Sequence, residues 1–311
     1  MILRQVLELF DLLDSPKANG KEILSLFEKQ GIHDVSLETV TSKKGSTDCI
    51  KILIKGSNGK SSGGQAPTLG IIGRLGGLGA RPELTGFVSD GDGALAALAA
   101  GLKIAEMKKN GDHLKGDIIV ATHICPDAPT QEHKPVPFMD SPIDMQTNNE
   151  KEVDERMDAI LSIDTTKGNR IINQNGFAIS PTIKSGYILK ISDSLLDTMT
   201  RVTGKLPSVF AVAQQDITPY GNQLHHINSI LQPATATSAP VVGVAITTEQ
   251  PVAGCATGAS HPLDIEGAAR FAVEVAKGYG DGIISFYDED EFAHITKLYG
   301  SMEHFQTFGN Q

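Results

Sequence analysis

Thr68-Leu69-Gly70-Ile71-Ile72-Gly73, then Gly93-Ala94-Leu95-Ala96-Ala97-Leu98-Ala99-Ala100-Gly101-Leu102, then Ile118-Ile119-Val120-Ala121-Thr122: these three pieces follow one another along the chain and decide its fold class. The first and third are short, unbroken apolar runs, as strands covered on both faces require. The middle piece lines up Leu95, Leu98 and Leu102 on one side of a helix. Strand, helix, strand is a βαβ unit, which demands a parallel sheet with helices on its faces.

Outward from this unit the same alternation continues. Asp158 to Asp164 and Val241 to Ala245 read as further buried strands, and Ser208 to Val212 as another. Asp48 to Lys55 alternates like a strand with one solvated side. Helical spacing covers Val6 to Leu13, Lys21 to Gln30, Asp193 to Thr203, Ile265 to Lys277 and Glu289 to Tyr299. The proline-rich stretch from Pro126 to Pro142 reads as a long ordered or ligand-lining loop. The predicted architecture is α/β, a three-layer α/β/α arrangement with a mixed, mainly parallel central sheet, built as a single domain over residues 1–311.

Composition narrows the function. The chain has 37 acidic and 27 basic residues, a formal charge of -10, and no Lys/Arg cluster to attract nucleic acid. Aromatics are 5% and Trp is absent, so base-stacking platforms are not expected. No apolar run approaches the roughly 20 residues of a membrane span, and the start lacks a signal-peptide pattern. Three scattered cysteines, Cys49, Cys125 and Cys255, form no disulfide framework. The expectation is a cytoplasmic protein acting on a small molecule or short peptide, and a homo-oligomer is compatible with its glycine-rich, apolar segments.

In parallel α/β sheets ligands sit beyond the carboxyl ends of the strands. The polar residues there are Arg74, His123, Cys125, Asp127 and Asp164, joined by Asp90 and Asp92 before one helix and His261 before another. Carboxylates with an imidazole suit a divalent metal such as zinc, manganese or cobalt. Each group also has a plainer reading. Asp92 is a good helix N-cap, Asp164 can bond the turn through Thr165 and Thr166, and His261 can satisfy backbone carbonyls. His123-Ile124-Cys125 reads either as a reactive pair or as a buried structural thiol beside a histidine. His225-His226 reads as surface, and the glycines from Gly73 to Gly79 lack the Gly-Lys-Ser/Thr signature of a phosphate loop.

The order of these groups resembles the co-catalytic zinc exopeptidases, particularly the glutamyl-aminopeptidase and endoglucanase-like aminopeptidases. Asp90-Gly91-Asp92-Gly93 looks like their Asp-x-x-Gly turn, Pro126-Asp127 falls where their Glu-Glu pair stands, and Asp164 and His261 look like their later ligands. The whole chain is more similar still to a bacterial and archaeal family known as domain of unknown function 1177. That likeness is carried by Gly70 to Gly77, by Ala121 to Thr130, and by Gly254-Cys255-Ala256-Thr257-Gly258-Ala259-Ser260-His261-Pro262.

The resemblance implies a metal-dependent hydrolase of peptide or amide bonds, with a metal at Asp90, Asp127 and His261, and with Asp164 and Asp92 close by. The departures from the peptidase pattern are specific. Arg74-Leu75-Gly76 replaces the His-x-Asp that would hold the other metal, and Pro126 replaces the glutamate that would activate water. Arg74 is then expected to neutralise Asp164 or grip a substrate carboxylate, and His123 or Cys125 to supply the missing base or nucleophile. A short loop from Leu78 to Val88 stands where the relatives carry an inserted lid and dimerisation domain. A non-catalytic binding protein on the same scaffold, and a cysteine-dependent enzyme using Cys125 or Cys255, are the alternatives.

Overall fold

The computed structural model describes all residues except 75–85, 133–137, 215–222, 252–259, 308 and 310–311. The chain begins with helices α1 (Leu3–Leu13) and α2 (Gly20–Glu28), then the hairpin β1 (Val35–Ser42) and β2 (Gly45–Ile54). The βαβ unit follows as β3 (Leu69–Gly73), α3 (Asp92–Lys109) and β4 (Ile118–Ile124). A small ladder, β5 (Thr130–Gln131) with β6 (Phe138–Met139), precedes α4 (Met145–Glu152) and β7 (Ala159–Thr165). The remainder is β8 (Gly176–Ile179), β9 (Thr182–Lys184), β10 (Tyr187–Leu189), α5 (Asp193–Thr203), β11 (Val241–Thr247), α6 (Pro262–Gly280) and α7 (Glu289–Tyr299).

The strands form one sheet in the order β1-β2-β4-β3-β7-β11-β9-β10, with β8 also paired to β11. The centre, β4-β3-β7-β11, is parallel, and Leu69 lies opposite both Ile118 and Ala159. Both margins are antiparallel, β1 and β2 on one side and β8 and β9 on the other. The mixed sheet and its parallel core are therefore as expected. The span Ser208 to Val212 is not a strand but one bridge, Val209 to Ile179, because a single register contact is all that the short β8 leaves available.

Alternation along each strand separates two cores. Leu69, Ile71, Ile118, Val120, Leu161 and Ile163 face α1, α2, α3, α5 and α6. Ile72, Ile119, Ala121 and Ile160 face the other way, toward Leu231 and Ala234 of the 3₁₀ segment Ser229–Ala236, against which α4 also packs. These are the three layers.

β3 is followed by β4 on one side, and the chain later crosses to place β7 on the other, so the connections part at β3. Crevices of this kind open at carboxyl strand ends. Gly93 lets α3 settle directly over this one: a Cβ there would lie 2.4 Å from the Ile163 carbonyl oxygen and 3.0 Å from Asp164 Cα. Glycine is required at that position by space alone.

Candidate functional site at the β3–β7 crevice

Arg74 and Asp164 leave adjacent strands side by side, since the Arg74 amide donates to the Ile163 carbonyl at 2.8 Å. Asp90, in the 3₁₀ turn Ser89–Gly91, and Asp92, the first residue of α3, come in from above. The carboxyls of Asp90 and Asp164 repel one another across the crevice. Burial, then Asp164 and Asp92, push Asp90 up to about 7, against the pull of Lys167. Burial likewise holds Asp164 at about 7, although the Thr165 amide at 2.7 Å and the charge of Arg74 favour its ionised form. The plainer reading of Asp164, a bond to its following turn, is thus true of one oxygen.

Asp92 has a different environment. It is fully buried, and the N-cap of α3 is Gly91 rather than Asp92. Lys167 Nζ donates to its Oδ2 at 2.6 Å and Ser260 Oγ to its Oδ1 at 2.5 Å. Burial raises Asp92 and Lys167 draws it back, to about 6. Lys167 is 4% exposed and sits at φ +36°, a left-handed conformation that costs a lysine about 1 kcal/mol or more and turns its side chain inward. Neither Lys167 nor Ser260 stands out in the sequence as a candidate site residue. The signal was present, because Lys167 follows a strand-terminal acid by three residues and Ser260 precedes His261.

Arg74 is also buried, at 1%, but the carboxylate that takes its guanidinium is Glu152, not Asp164. Nη1 donates to Glu152 Oε2 and, at 2.9 Å, to Asn149 Oδ1, while Nη2 meets Met145 Sδ at 3.0 Å. The expected neutralisation of Asp164 is therefore electrostatic and at one remove. The reason is that Arg74 continues the side of β3 that carries Ile72, the side on which α4 lies. Glu152 is pushed up by burial against the pull of Arg74.

His123 lies on the same side of the sheet, 2% exposed, with Nδ1 2.9 Å from the Thr47 hydroxyl. Burial and then Arg74 lower it to about 4, so it is neutral at physiological pH and a weak base. Cys125 is buried, its Sγ donating to the Ser46 carbonyl at 3.5 Å, and Cys255 lies outside the described residues. Burial pushes the remaining thiol, Cys49, up to about 12.

His261 is exposed at the start of α6, and its charge acts on Asp92 and Asp264. Asp127 is exposed beyond β4. His225, exposed, meets the Gln214 carbonyl at 3.3 Å through Nδ1, as a surface histidine does. The charges of Asp164 and Asp92 thus act on Asp90, and that of His261 acts on Asp92. Among the described residues no three of His, Cys, Asp or Glu stand close enough to hold a metal ion. Even so, a carboxyl pair with no salt bridge among the described residues, and hard oxygen donors, fit a divalent cation in chemistry.

Solved structures share this α/β/α fold. The bottromycin maturation enzyme BotP in complex with Mn gives a TM-score of 0.51 at 12% identity, over 90% of this chain and 71% of that one. A Caenorhabditis elegans leucine aminopeptidase, LAP1, gives 0.51 at 11%, over 91% of this chain and 66% of that one. At such identities the likeness is one of fold. No curated protein matches the sequence. The chain belongs to the family described as protein of unknown function, DUF1177, which matches residues 38–309.

Proposed function

We propose that the chain is a metal-dependent hydrolase of peptide or amide bonds in short substrates, with a reduced, single-metal site. The observation that carries this reading is the Asp90–Asp164 pair. Both carboxyls are desolvated and titrate near neutrality, while the two nearest cations, Lys167 and Arg74, are committed to Asp92 and Glu152. A divalent ion, zinc, manganese or cobalt, relieves that repulsion. Asp90 and Asp164 hold it, with His261 and Asp127 as further donors from the surface. Bound there, it supplies Lewis acidity that polarises a carbonyl and acidifies water, which reduces the need for the glutamate that Pro126 replaces. Asp92 and Lys167 keep the α3 and α6 starts in place, and the buried strand ends exclude bulk water. The chain does this as one cytoplasmic domain without an inserted lid.

One observation favours a second reading, a ligand-binding protein without catalysis: the base expected in place of the missing glutamate, His123, is neutral and buried. Metal analysis of protein purified without chelator, with Asp90→Asn and Asp164→Asn alongside, tests the first reading. The expected result is an ion lost in both variants and metal-dependent cleavage of short peptides. A metal-free protein that manganese and zinc fail to stabilise overturns it.

A further inference from the structure

The inner face of α4 is polar. Met145, Asn148, Asn149 and Glu152 share it at helical spacing, and the last three are 1–2% exposed. A short helix normally buries an apolar stripe, so a buried polar face has to be satisfied by something. Part of it is: Arg74 takes Asn149 Oδ1 and one oxygen of Glu152, and Asn149 Nδ2 donates to Thr235 Oγ1 at 3.0 Å across the interface with the 3₁₀ segment.

The rest is open. Arg74 Nε, Glu152 Oε1, Asn148 Oδ1 and both amide atoms of Gln232 are buried and have no hydrogen-bond partner among the described residues. Gln232 is 1% exposed and precedes Thr235 by three residues, the spacing at which side chains of a 3₁₀ helix eclipse. It stands one 3₁₀ turn before Thr235, which meets α4 through Asn149. More than nine in ten buried polar groups in folded proteins are paired, so five open atoms on α4, the 3₁₀ segment that packs against it and Arg74 call for a partner.

The chemistry of the open atoms selects the partner. Arg74 and Glu152 form a net-neutral pair with one donor and one acceptor unused. A plain anion would satisfy Arg74 Nε and face the Glu152 carboxylate, and a plain cation would do the reverse. A ligand with both signs a few bonds apart satisfies both. Gln232 adds a donor and an acceptor, and Asn148 another acceptor. We infer that the interface between α4 and the 3₁₀ segment, beside Arg74, is a binding chamber for a small zwitterion of the α-amino-acid class. Its carboxylate lies on Arg74 Nε and the Gln232 amide nitrogen, and its ammonium on Glu152 Oε1 and Asn148 Oδ1. The chamber uses none of Asp90, Asp127, Asp164 or His261, so it stands apart from the proposed metal.

The test is calorimetry and thermal denaturation of the full chain in chelator, with L-glutamine, L-glutamate and L-leucine as probes beside their N-acetyl and carboxamide forms. At least one amino acid is expected to bind, and capping either end to weaken it about tenfold or more. Arg74 variants risk unfolding the protein, so Gln232→Leu and Asn148→Leu carry the test: both fold, and both lose the ligand by a similar factor while manganese binding is unchanged. Three results overturn the inference. They are no binding of any probe, capped forms that bind as tightly as the free amino acid, or full binding by Gln232→Leu, each of which leaves only ordered water in the chamber. Failure of the metal reading looks different, because zwitterion binding then persists in a protein that holds no ion.

Discussion

Two buried cations flank the Asp90–Asp164 pair, and their surroundings are opposites. On the α3–α6 side, Lys167 meets Asp92, whose two oxygens are both occupied, one by the ammonium and one by the Ser260 hydroxyl. On the α4 side, Arg74 meets Glu152, and each retains a polar atom with no partner among the described residues. Burial of charge is costly in either case and is tolerated where the hydrogen bonds are complete. The first pair is complete within the protein and so belongs to its architecture. The second is incomplete until something else arrives.

The sharpest way to break this contrast is to remove the Lys167 charge. Lys167→Met leaves Asp92 ionisable, buried and served only by Ser260, and a broken pair of this kind costs about 3–5 kcal/mol. Urea denaturation should show that loss, and Lys167→Met with Asp92→Leu should recover most of it. If Lys167→Met alone is within about 1 kcal/mol of the wild type, the pair is not architectural.

The Arg74 side carries its own pH signature through His123. Folded, His123 titrates near 4, against 6.5 for the free side chain. The unfolded chain therefore takes up the proton first as pH falls. The stability due to neutral His123 is full above about 6.5 and is lost between there and 4, by about 3 kcal/mol. Asp90 and Asp164, with raised values, act in the opposite direction over an overlapping range. The measurement is thus the difference between the wild-type profile and that of His123→Gln, in which the carboxyl contributions cancel. A flat difference would mean that His123 is solvated.

Between the two pairs, the carboxyls should respond to metal. A divalent ion at a hundredfold excess over its dissociation constant stabilises the fold by about 2.7 kcal/mol. Asp90→Asn and Asp164→Asn should each abolish that gain, whereas Gln232→Leu should leave it intact.

How far these features could be read from sequence follows the same division. The βαβ unit was legible because Leu69 to Gly73 and Ile118 to Thr122 are apolar on both faces, which only a covered parallel strand requires. Asp90 and Asp164 were legible because they terminate such elements, and topology alone brings strand ends together. α4 was invisible, since hydrophobic periodicity cannot detect a helix whose inner face is Asn148, Asn149 and Glu152. β1 was missed for a related reason: as an edge strand it is largely exposed, and its apolar residues are only half-buried. Lys167 was passed over because a lysine before Gly168 reads as a solvated turn, and only the three-dimensional path, through φ +36°, turns it inward. The chain's departures from the peptidase pattern at Arg74 and Pro126 were visible, but the partner of Arg74 lay in the helix that the pattern could not show.

The smallest effects compare the two sides most directly, because each removes one hydroxyl or amide. Ser260→Ala deletes a hydrogen bond to a charged oxygen that is satisfied within the protein, and should cost about 1.5–3 kcal/mol. Gln232→Leu deletes an amide whose two polar atoms are buried and unpaired among the described residues, and replaces it with an apolar group of similar size. That change should be neutral within about 0.5 kcal/mol, or stabilising, because nothing in the unliganded fold is lost and a desolvation cost is removed. Parallel denaturation curves of the two variants read the difference. Equal losses would mean that Gln232 already has its partner in ordered water, and the contrast between a finished and an unfinished pair would disappear. A loss at Ser260 alone, with Gln232→Leu at or above wild type, is what a chamber held open for a ligand requires.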